Sequence, residues 1–347
     1  MCKKMTKLTI CLFIVAALTV WCVWATPPAE AKDKLTIGFA HVSMAAPYYV
    51  AMQKTAEEVA KEEDVELIWY NAEDDELKQV RQVMSMIGKK IDGLLINPVT
   101  PQGIKRAIKS CVDEKIPVVA IDRQLYGDYI AYVGIDQWQA GNLVGEYIVK
   151  KIFPDKKEVR WVELQGSPGG PAAIGRGGGF NQAIDQLGGG RFELFYYDRG
   201  YYDRTKGMQI MEDAIVKAKG QGVSIDLVFG HNDSMVLGAR EALKRAGMGD
   251  VILCGVDAQK EAVKLIIDGD KPQYVATLVN WSTDITRIGL KTLIENIRTK
   301  NVPSYTSPDE LSAYSKQISD PTKYIKTGTF LINSENAKEN YNPNAVF

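Results

Sequence analysis

Histidine is nearly missing. Only His41 and His231 occur in 347 residues, which excludes a histidine-rich metal site. Cysteine is also scarce. Of five cysteines, Cys2, Cys11 and Cys22 lie in the first 31 residues, and only Cys111 and Cys254 follow. Two cysteines in so long a chain are no disulfide framework. Cys254 follows the apolar Val251-Ile252-Leu253 and reads as a small buried hydrophobe. The two cysteines fall in different expected domains, so no bridge between them is expected. An excess of one charge is absent too: 42 Lys and Arg face 43 Asp and Glu, which gives no electrostatic ground for a nucleic-acid partner. Disorder is excluded by a chain that is 46% hydrophobic and 24% charged.

Catalytic and cofactor motifs are missing as well. There is no H-E-x-x-H, no C-x-x-C and no G-x-x-x-x-G-K-[ST]. The Gly-rich stretch Gly166 to Gly179 does not fit G-x-G-x-x-G, and Gln165-Gly166-Ser167-Pro168-Gly169 is one residue short of G-x-S-x-G. The chain is therefore read as a non-enzyme with neither a metal nor another cofactor.

One long apolar run is present, from Leu8 to Trp24. Lys3, Lys4 and Lys7 precede it, and Ala29-Glu30-Ala31 follows with small residues where a signal peptidase needs them. Residues 1–31 are read as a signal peptide cut before Lys32. An uncleaved anchor is the alternative, since the run nearly spans a bilayer. Trp21 before Cys22 lacks the small residue of a lipoprotein site. Cleavage removes three lysines and Glu30, leaving 39 basic and 42 acidic residues and a net charge of −3.

Short apolar runs then alternate with helical patterns. The runs are Leu35–Ala40, Val65–Tyr70, Gly93–Ile96, Pro117–Ile121 and Ala131–Ile135, then Val159–Leu164, Arg191–Tyr197, Ile225–Phe229, Val251–Val256 and Tyr274–Leu278. Most are continuous, as strands buried on both faces are. Helical faces recur between them, for example Leu77, Val80, Val83, Met84 and Ile87. The alternation predicts an α/β fold with parallel strands and right-handed crossovers. Ten strands suit two sheets of about five. The tail beyond Thr299 carries one late apolar run, Thr329–Ile332, read as a last strand.

In such sheets ligands bind at the carboxyl ends of the strands. Asn97-Pro98, Asp122-Arg123, Asp136, His231-Asn232-Asp233, Asp257 and Asn280-Trp281 stand there. Helix capping accounts for part of this set, with Asp136 and Asp233 the best candidates. Carboxylates, carboxamides and a guanidinium, with Tyr48, Tyr49, Tyr202 and Trp281 nearby, suit a polyhydroxylated ligand. Aromatic faces can cover the apolar face of a sugar ring.

In order and spacing, Leu94-Leu-Ile-Asn-Pro98, Ile116-Pro-Val-Val-Ala-Ile-Asp-Arg123, Val162-Glu-Leu-Gln-Gly166, Ala172-Ala-Ile-Gly-Arg-Gly-Gly-Gly-Phe180, His231-Asn-Asp-Ser-Met-Val-Leu-Gly-Ala239 and Gly255-Val-Asp257 carry a resemblance. The chain resembles the type I periplasmic binding proteins for sugars, in the ribose- and galactofuranose-binding branch of bacterial ABC importers, from about Leu35 to Ile332. The resemblance implies two Rossmann-like parallel-sheet lobes joined by a three-crossing hinge. The crossings are placed near Ile135, near Asn280 and after Asn301. One lobe is then 32–135 plus 281–310, and the other 136–280 plus 311–347. It implies a periplasmic monomer that takes a monosaccharide or polyol and delivers it to an inner-membrane permease. Asp122 and Arg123 would bind ring hydroxyls, and Asn97, Asn232, Asp257 and Asn280 are further ligand positions. Tyr48, with Tyr49 beside it, and Tyr202 fall where aromatics meet the sugar. Ribose-type relatives have Arg where this chain has Ile174 and Phe where it has Val256. The galactofuranose type has Trp-Arg in place of Tyr48-Tyr49, but Ile174 followed by Arg176 resembles it. A sensing adaptor that presents a bound sugar to a chemoreceptor or kinase would share every site residue. A repressor with the same core is disfavoured by the leader and the lack of an N-terminal helix-turn-helix.

The protein recovered from its native host should begin at Lys32. N-terminal sequencing checks this, and a cytoplasmic product that begins at Met1 contradicts the leader reading.

Overall fold

The structure is a computed structural model and describes residues 34–301 and 303–347. The expected leader, residues 1–31, and its expected cleavage site before Lys32 lie outside the described residues. Among the described residues no helix is long and apolar enough to cross a membrane.

Among the described residues, twelve strands form two sheets of six. The first comprises β1 (Thr36–His41), β2 (Glu66–Asn71), β3 (Gly93–Ile96), β4 (Val118–Ile121), β5 (Ala131–Gly134) and β11 (Tyr324–Lys326), in the order β11-β5-β4-β3-β1-β2. The second comprises β6 (Val159–Gln165), β7 (Phe192–Arg199), β8 (Leu227–Gly230), β9 (Ile252–Asp257), β10 (Tyr274–Val279) and β12 (Leu331–Asn333), in the order β12-β10-β9-β8-β6-β7. Every pairing is parallel except β10 with β12. The two sheets thus repeat one topology. In each, the chain order reverses beside the first strand, and a crevice opens at such a switch point.

The sequence patterns explain the elements. β3 (Gly-Leu-Leu-Ile), β4 (Val-Val-Ala-Ile) and β8 (Leu-Val-Phe-Gly) are buried at every position, as strands between two helical layers must be. The helices are α1 (Pro47–Glu62), α2 (Glu76–Gly88), α3 (Pro101–Asp113), α4 (Gln137–Tyr147), α5 (Pro171–Leu187), α6 (Arg204–Gln221), α7 (Asp233–Arg245), α8 (Lys260–Asp268), α9 (Ser282–Thr299) and the short α10 (Ala313–Ile318). Proline at the first position opens α1, α3 and α5, where its missing N–H costs nothing. The Asp75 and Thr100 side chains cap α2 and α3. Cys111 lies in the core of the first sheet and Cys254 in that of the second, both buried and free.

Two expectations need correction. The late tail supplies two strands rather than one, and they join different sheets. Tyr324–Lys326 pairs with β5 in the first sheet, and Leu331–Asn333 pairs with β10 in the second. The chain therefore passes between the sheets for the third time between Lys326 and Leu331, later than the residues after Asn301. The strand at 324–326 is only three residues long and lies in a Ser- and Pro-rich stretch, too short for its periodicity to register. The second correction concerns Asp233. The cap of α7 is Asn232, whose Oδ1 accepts from Met235 N at 3.1 Å. Asp233 lies one residue inside the helix and is buried on the Tyr274 hydroxyl, the Thr277 hydroxyl and Gln259 N. Asp136 does cap α4, accepting from Trp138 N and Gln139 N, and its other oxygen takes Ser312 N at 2.6 Å.

α4 and α5 pack with backbone against backbone. A Cβ at Gly141 would run into the Arg176 carbonyl, and one at Gly179 into the Trp138 carbonyl. Backbone cannot step aside as a flexible side chain can. Gly141→Ala should therefore destabilise the fold by about 1–3 kcal/mol or more, read as a lowered denaturant midpoint. Ala at Gly220, whose Cβ meets nothing within 4 Å, is the control and should be neutral or slightly stabilising.

Candidate functional site

The polar residues at the strand ends converge on one place. From the first sheet come Asn97 after β3, Asp122 and Arg123 after β4, and Tyr48 and Tyr49 in the first turn of α1. From the second come Asp257 at the end of β9, Asn280 after β10, and Arg176 within α5. Asp122 is the hub of the first group. Its Oδ1 accepts from the Tyr48 hydroxyl at 3.0 Å, and its Oδ2 accepts from Asn97 Nδ2 at 3.0 Å. Arg123 donates to the Tyr49 hydroxyl at 2.8 Å and to the carbonyls of Val99 at 2.9 Å and Pro98 at 3.3 Å. The adjacent tyrosines thus lie over the adjacent Asp and Arg. No direct pairing of Asp122 with Arg123 is needed, because each has its own partners.

Asp257 is the hub of the second group. It pairs with Arg176 at 2.9 Å and accepts from Asn280 Nδ2 at 3.0 Å. Arg176 also donates to Gln137 Oε1 at 2.7 Å and to the His231 carbonyl at 2.5 Å. Asn280 closes the gap between the groups, since its Nδ2 also donates to the Tyr48 hydroxyl at 3.2 Å. Burial pushes the Asp257 carboxyl above the usual carboxylate range, against the pull of Arg176. Burial also opposes the charge on Arg123 and Arg176, but the neighbouring phenols and carboxylates outweigh it and hold both guanidiniums charged.

Backbone strain concentrates here. Asp122 has φ 63°, Tyr202 φ 64° and Asp257 φ 116°, all in the region that disfavours a Cβ. Such residues cost roughly 1–3 kcal/mol each and persist where the surroundings over-determine them.

Tyr202 stands between the groups in charge terms. Burial pushes its phenol up to about 12, against the pull of Arg176 and Arg123. Its ring packs where a Cβ on Gly166 would otherwise sit. Asn232 lies just after β8; its Oδ1 caps α7 at Met235 N and its Nδ2 donates to the Tyr202 carbonyl at 3.2 Å, which leaves one N–H and one lone pair of the carboxamide for other partners. Trp281 lies apart and packs edge-on against Phe330 at 5.8 Å.

Arg176 and His41 also border the site. Arg176 lies within a helix rather than at a strand end, so the strand-end rule does not point to it; Ile174, two residues earlier, is 48% exposed. His41 ends β1 beneath the tyrosines. Its Nε2 donates to the Tyr49 carbonyl at 3.0 Å, and its buried Nδ1 has no partner.

Chemically the site offers hydroxyl partners and little else. Four charges, Asp122, Arg123, Arg176 and Asp257, sum to zero. The buried Oδ1 atoms of Asn97 and Asn280 accept from nothing. No cluster of His, Cys, Asp or Glu among the described residues could hold a metal ion.

Two matching parallel sheets whose strand ends share one polar, aromatic-walled site define a two-lobed solute-binding protein. Residues 37–300 match the periplasmic binding protein domain, and the chain belongs to that family. It is 32% identical over 288 residues to the ribose import binding protein of Bacillus subtilis, covering 80% of this chain and 90% of the relative. It is 28% identical over 314 residues to the galactofuranose-binding protein of Escherichia coli, covering 88% of this chain and 90% of the relative. A crystal structure of an ABC transporter solute-binding protein from Mycobacterium smegmatis with bound glycerol superposes with TM-score 0.77 at 29% identity, covering 90% of this chain and 98% of that one.

His41 yields a pH prediction. Burial lowers its pKa from 6.5 to about 4. The unfolded chain therefore takes up a proton that the folded chain refuses. The resulting stability is complete above pH 6.5 and is lost as the pH falls toward 4. Between neutral pH and the low end of that window, wild type should lose about 2 kcal/mol more than His41→Gln, by urea denaturation. Parallel losses in the two proteins contradict the assignment.

Proposed function

We propose that this protein captures a neutral sugar, a monosaccharide or polyol, between its two lobes in the periplasm and delivers it to an ABC-type importer in the inner membrane. The observation that carries the reading is the pair of buried, unpartnered acceptors, Asn97 Oδ1 and Asn280 Oδ1, beside the carboxylates Asp122 and Asp257. Buried acceptors without donors are costly, and a ligand rich in hydroxyls supplies donors. The charges cancel within the site, which favours a neutral ligand over an anion or a cation. The likeness to ribose- and galactofuranose-binding proteins supports the same class of ligand. The ligand positions are Tyr48, Tyr49, Asn97, Asp122, Arg123, Arg176, Tyr202, Asn232, Asp257 and Asn280. The lobes move about crossings near Ile135, at Asn280 and between Lys326 and Leu331, and closure changes the surface that a permease reads.

A thermal-shift screen with D-ribose, D-galactose, L-arabinose, xylitol and glycerol tests the reading. A sugar at about 100-fold its dissociation constant should add about 2.7 kcal/mol. Asp122→Ala should then weaken binding of that sugar at least about tenfold, near 1.4 kcal/mol, by calorimetry. The sheet should survive, since the Asp122 side chain serves the site and not the core. A panel without a shift, or full affinity in Asp122→Ala, contradicts the proposal.

A further inference from the structure

Tyr48 is 8% exposed, and its ring is held edge-on by Tyr49 at 5.5 Å and by Phe347 at 5.2 Å. The ring is thereby fixed, and its hydroxyl has a definite place. That hydroxyl donates to Asp122 Oδ1 at 3.0 Å and accepts from Asn280 Nδ2 at 3.2 Å. One bond given to a carboxylate and one taken from a carboxamide is the bonding pattern of a sugar hydroxyl. The same Asn280 nitrogen reaches Asp257 at 3.0 Å, so the phenol completes a line from the carboxylate of one sheet to that of the other. Burial and then the Asp122 carboxylate keep the phenol protonated well beyond its ordinary range, so the donor is permanent. Other parts of the site are open in a way this part is not. Asn97 Oδ1 and Asn280 Oδ1 await donors, whereas the Asp122–Asn280 link is already made.

We propose that the Tyr48 hydroxyl is a built-in replacement for one ligand hydroxyl, so that the protein prefers a sugar or polyol lacking a hydroxyl at that point over its hydroxylated counterpart. The inference rests on the sugar-binding reading above. A ligand with the extra hydroxyl must compete with the phenol for Asp122 and Asn280 in a space the phenol fills. Discrimination then comes from an element that repels the wrong ligand as much as from contacts to the right one. Phe at position 48 keeps the ring and its edge-on neighbours and removes only the oxygen. That frees one acceptor on Asp122 and one donor on Asn280 for a ligand hydroxyl.

The experiment is calorimetry on wild type and Tyr48→Phe with matched pairs: D-galactose against D-fucose, D-galactose against L-arabinose, and D-ribose against deoxyribose. In each pair the second member lacks a hydroxyl or hydroxymethyl group of the first. Wild type should bind the second member of at least one pair more tightly, and Tyr48→Phe should shift the ratio toward the first member by about fivefold or more. A smaller shift in every pair, with both members weakened alike, overturns the inference and leaves the sugar-binding reading standing. Failure of wild type to bind any of these sugars overturns both. The melting temperature of the sugar-free Tyr48→Phe protein shows whether the substitution leaves the fold intact.

Discussion

The ion pair between Arg176 and Asp257 is buried at both ends, with side chains 4% and 9% exposed. Two charges so far from water must be held together, because removing either leaves the other stranded at about 3–5 kcal/mol. That requirement reaches well beyond the pair. Arg176 lies in the second turn of α5, so α5 must approach the strand ends closely. It does so through Gly141 and Gly179, where the backbones of α4 and α5 touch. Two further bonds run from Arg176 to Gln137 at the start of α4 and to the His231 carbonyl just after β8. Asp257 in turn holds Asn280 at the crossing between the sheets, and Asn280 reaches Tyr48. A single paired charge thus ties helix spacing, the hinge and the first-sheet half of the site into one arrangement.

Within each lobe the apolar cores are independent. Phe180 stacks on Phe229 with ring centroids 3.9 Å apart in the second, while Tyr132 meets Tyr324 at 4.8 Å in the first. No comparable apolar contact is required to join the polar halves of the site. This division suits a protein that must open and close. Core burial stabilises each sheet by itself, whereas the polar line from Asp122 through Tyr48 and Asn280 to Asp257 runs from one half of the site to the other. Interactions present in only one of two states are what bias a two-state element.

Much of this was readable from the sequence because buried parallel strands are short continuous apolar runs, and the residue that follows each run faces the crevice. Asn97, Asp122, Arg123, Asp257 and Asn280 were found by that rule alone, and the structure brings them together. The rule fails where position is set by other physics. Arg176 follows no strand; only the glycines around it mark a helix pressed against another backbone. Asn232 follows β8 as the rule requires, but part of its amide also serves the helix cap and the Tyr202 carbonyl, which the rule does not foresee. Neighbouring Asn and Asp are equally good caps by type, so the choice of Asn232 over Asp233 rests on the burial of Asp233 against Tyr274 and Thr277, which are more than 40 residues away. The short strand at Tyr324–Lys326 was invisible because three residues carry no period and its pairing with β5 is entirely long-range.

The balance of charge in the site explains why its chemistry is recognition rather than attraction. A single free guanidinium would draw anions and a single free carboxylate would draw cations, each through long-range fields. Here Arg176 is neutralised by Asp257 at 2.9 Å, and Arg123 is surrounded by the Tyr49 hydroxyl and two carbonyls. What remains for a ligand is short-range: spare lone pairs on Asp122 and Asp257, the free Oδ1 atoms of Asn97 and Asn280, and unused guanidinium hydrogens. Such groups reward a molecule only for placing hydroxyls correctly, because each bond made in a buried site replaces one lost to water. The strained backbone at Asp122 and Asp257 fits the same logic. Their carboxylates are fixed before the ligand arrives, so their ordering entropy is not charged against binding. A site built this way discriminates by the position of hydroxyls, and among its residues Tyr48 supplies a hydroxyl of its own.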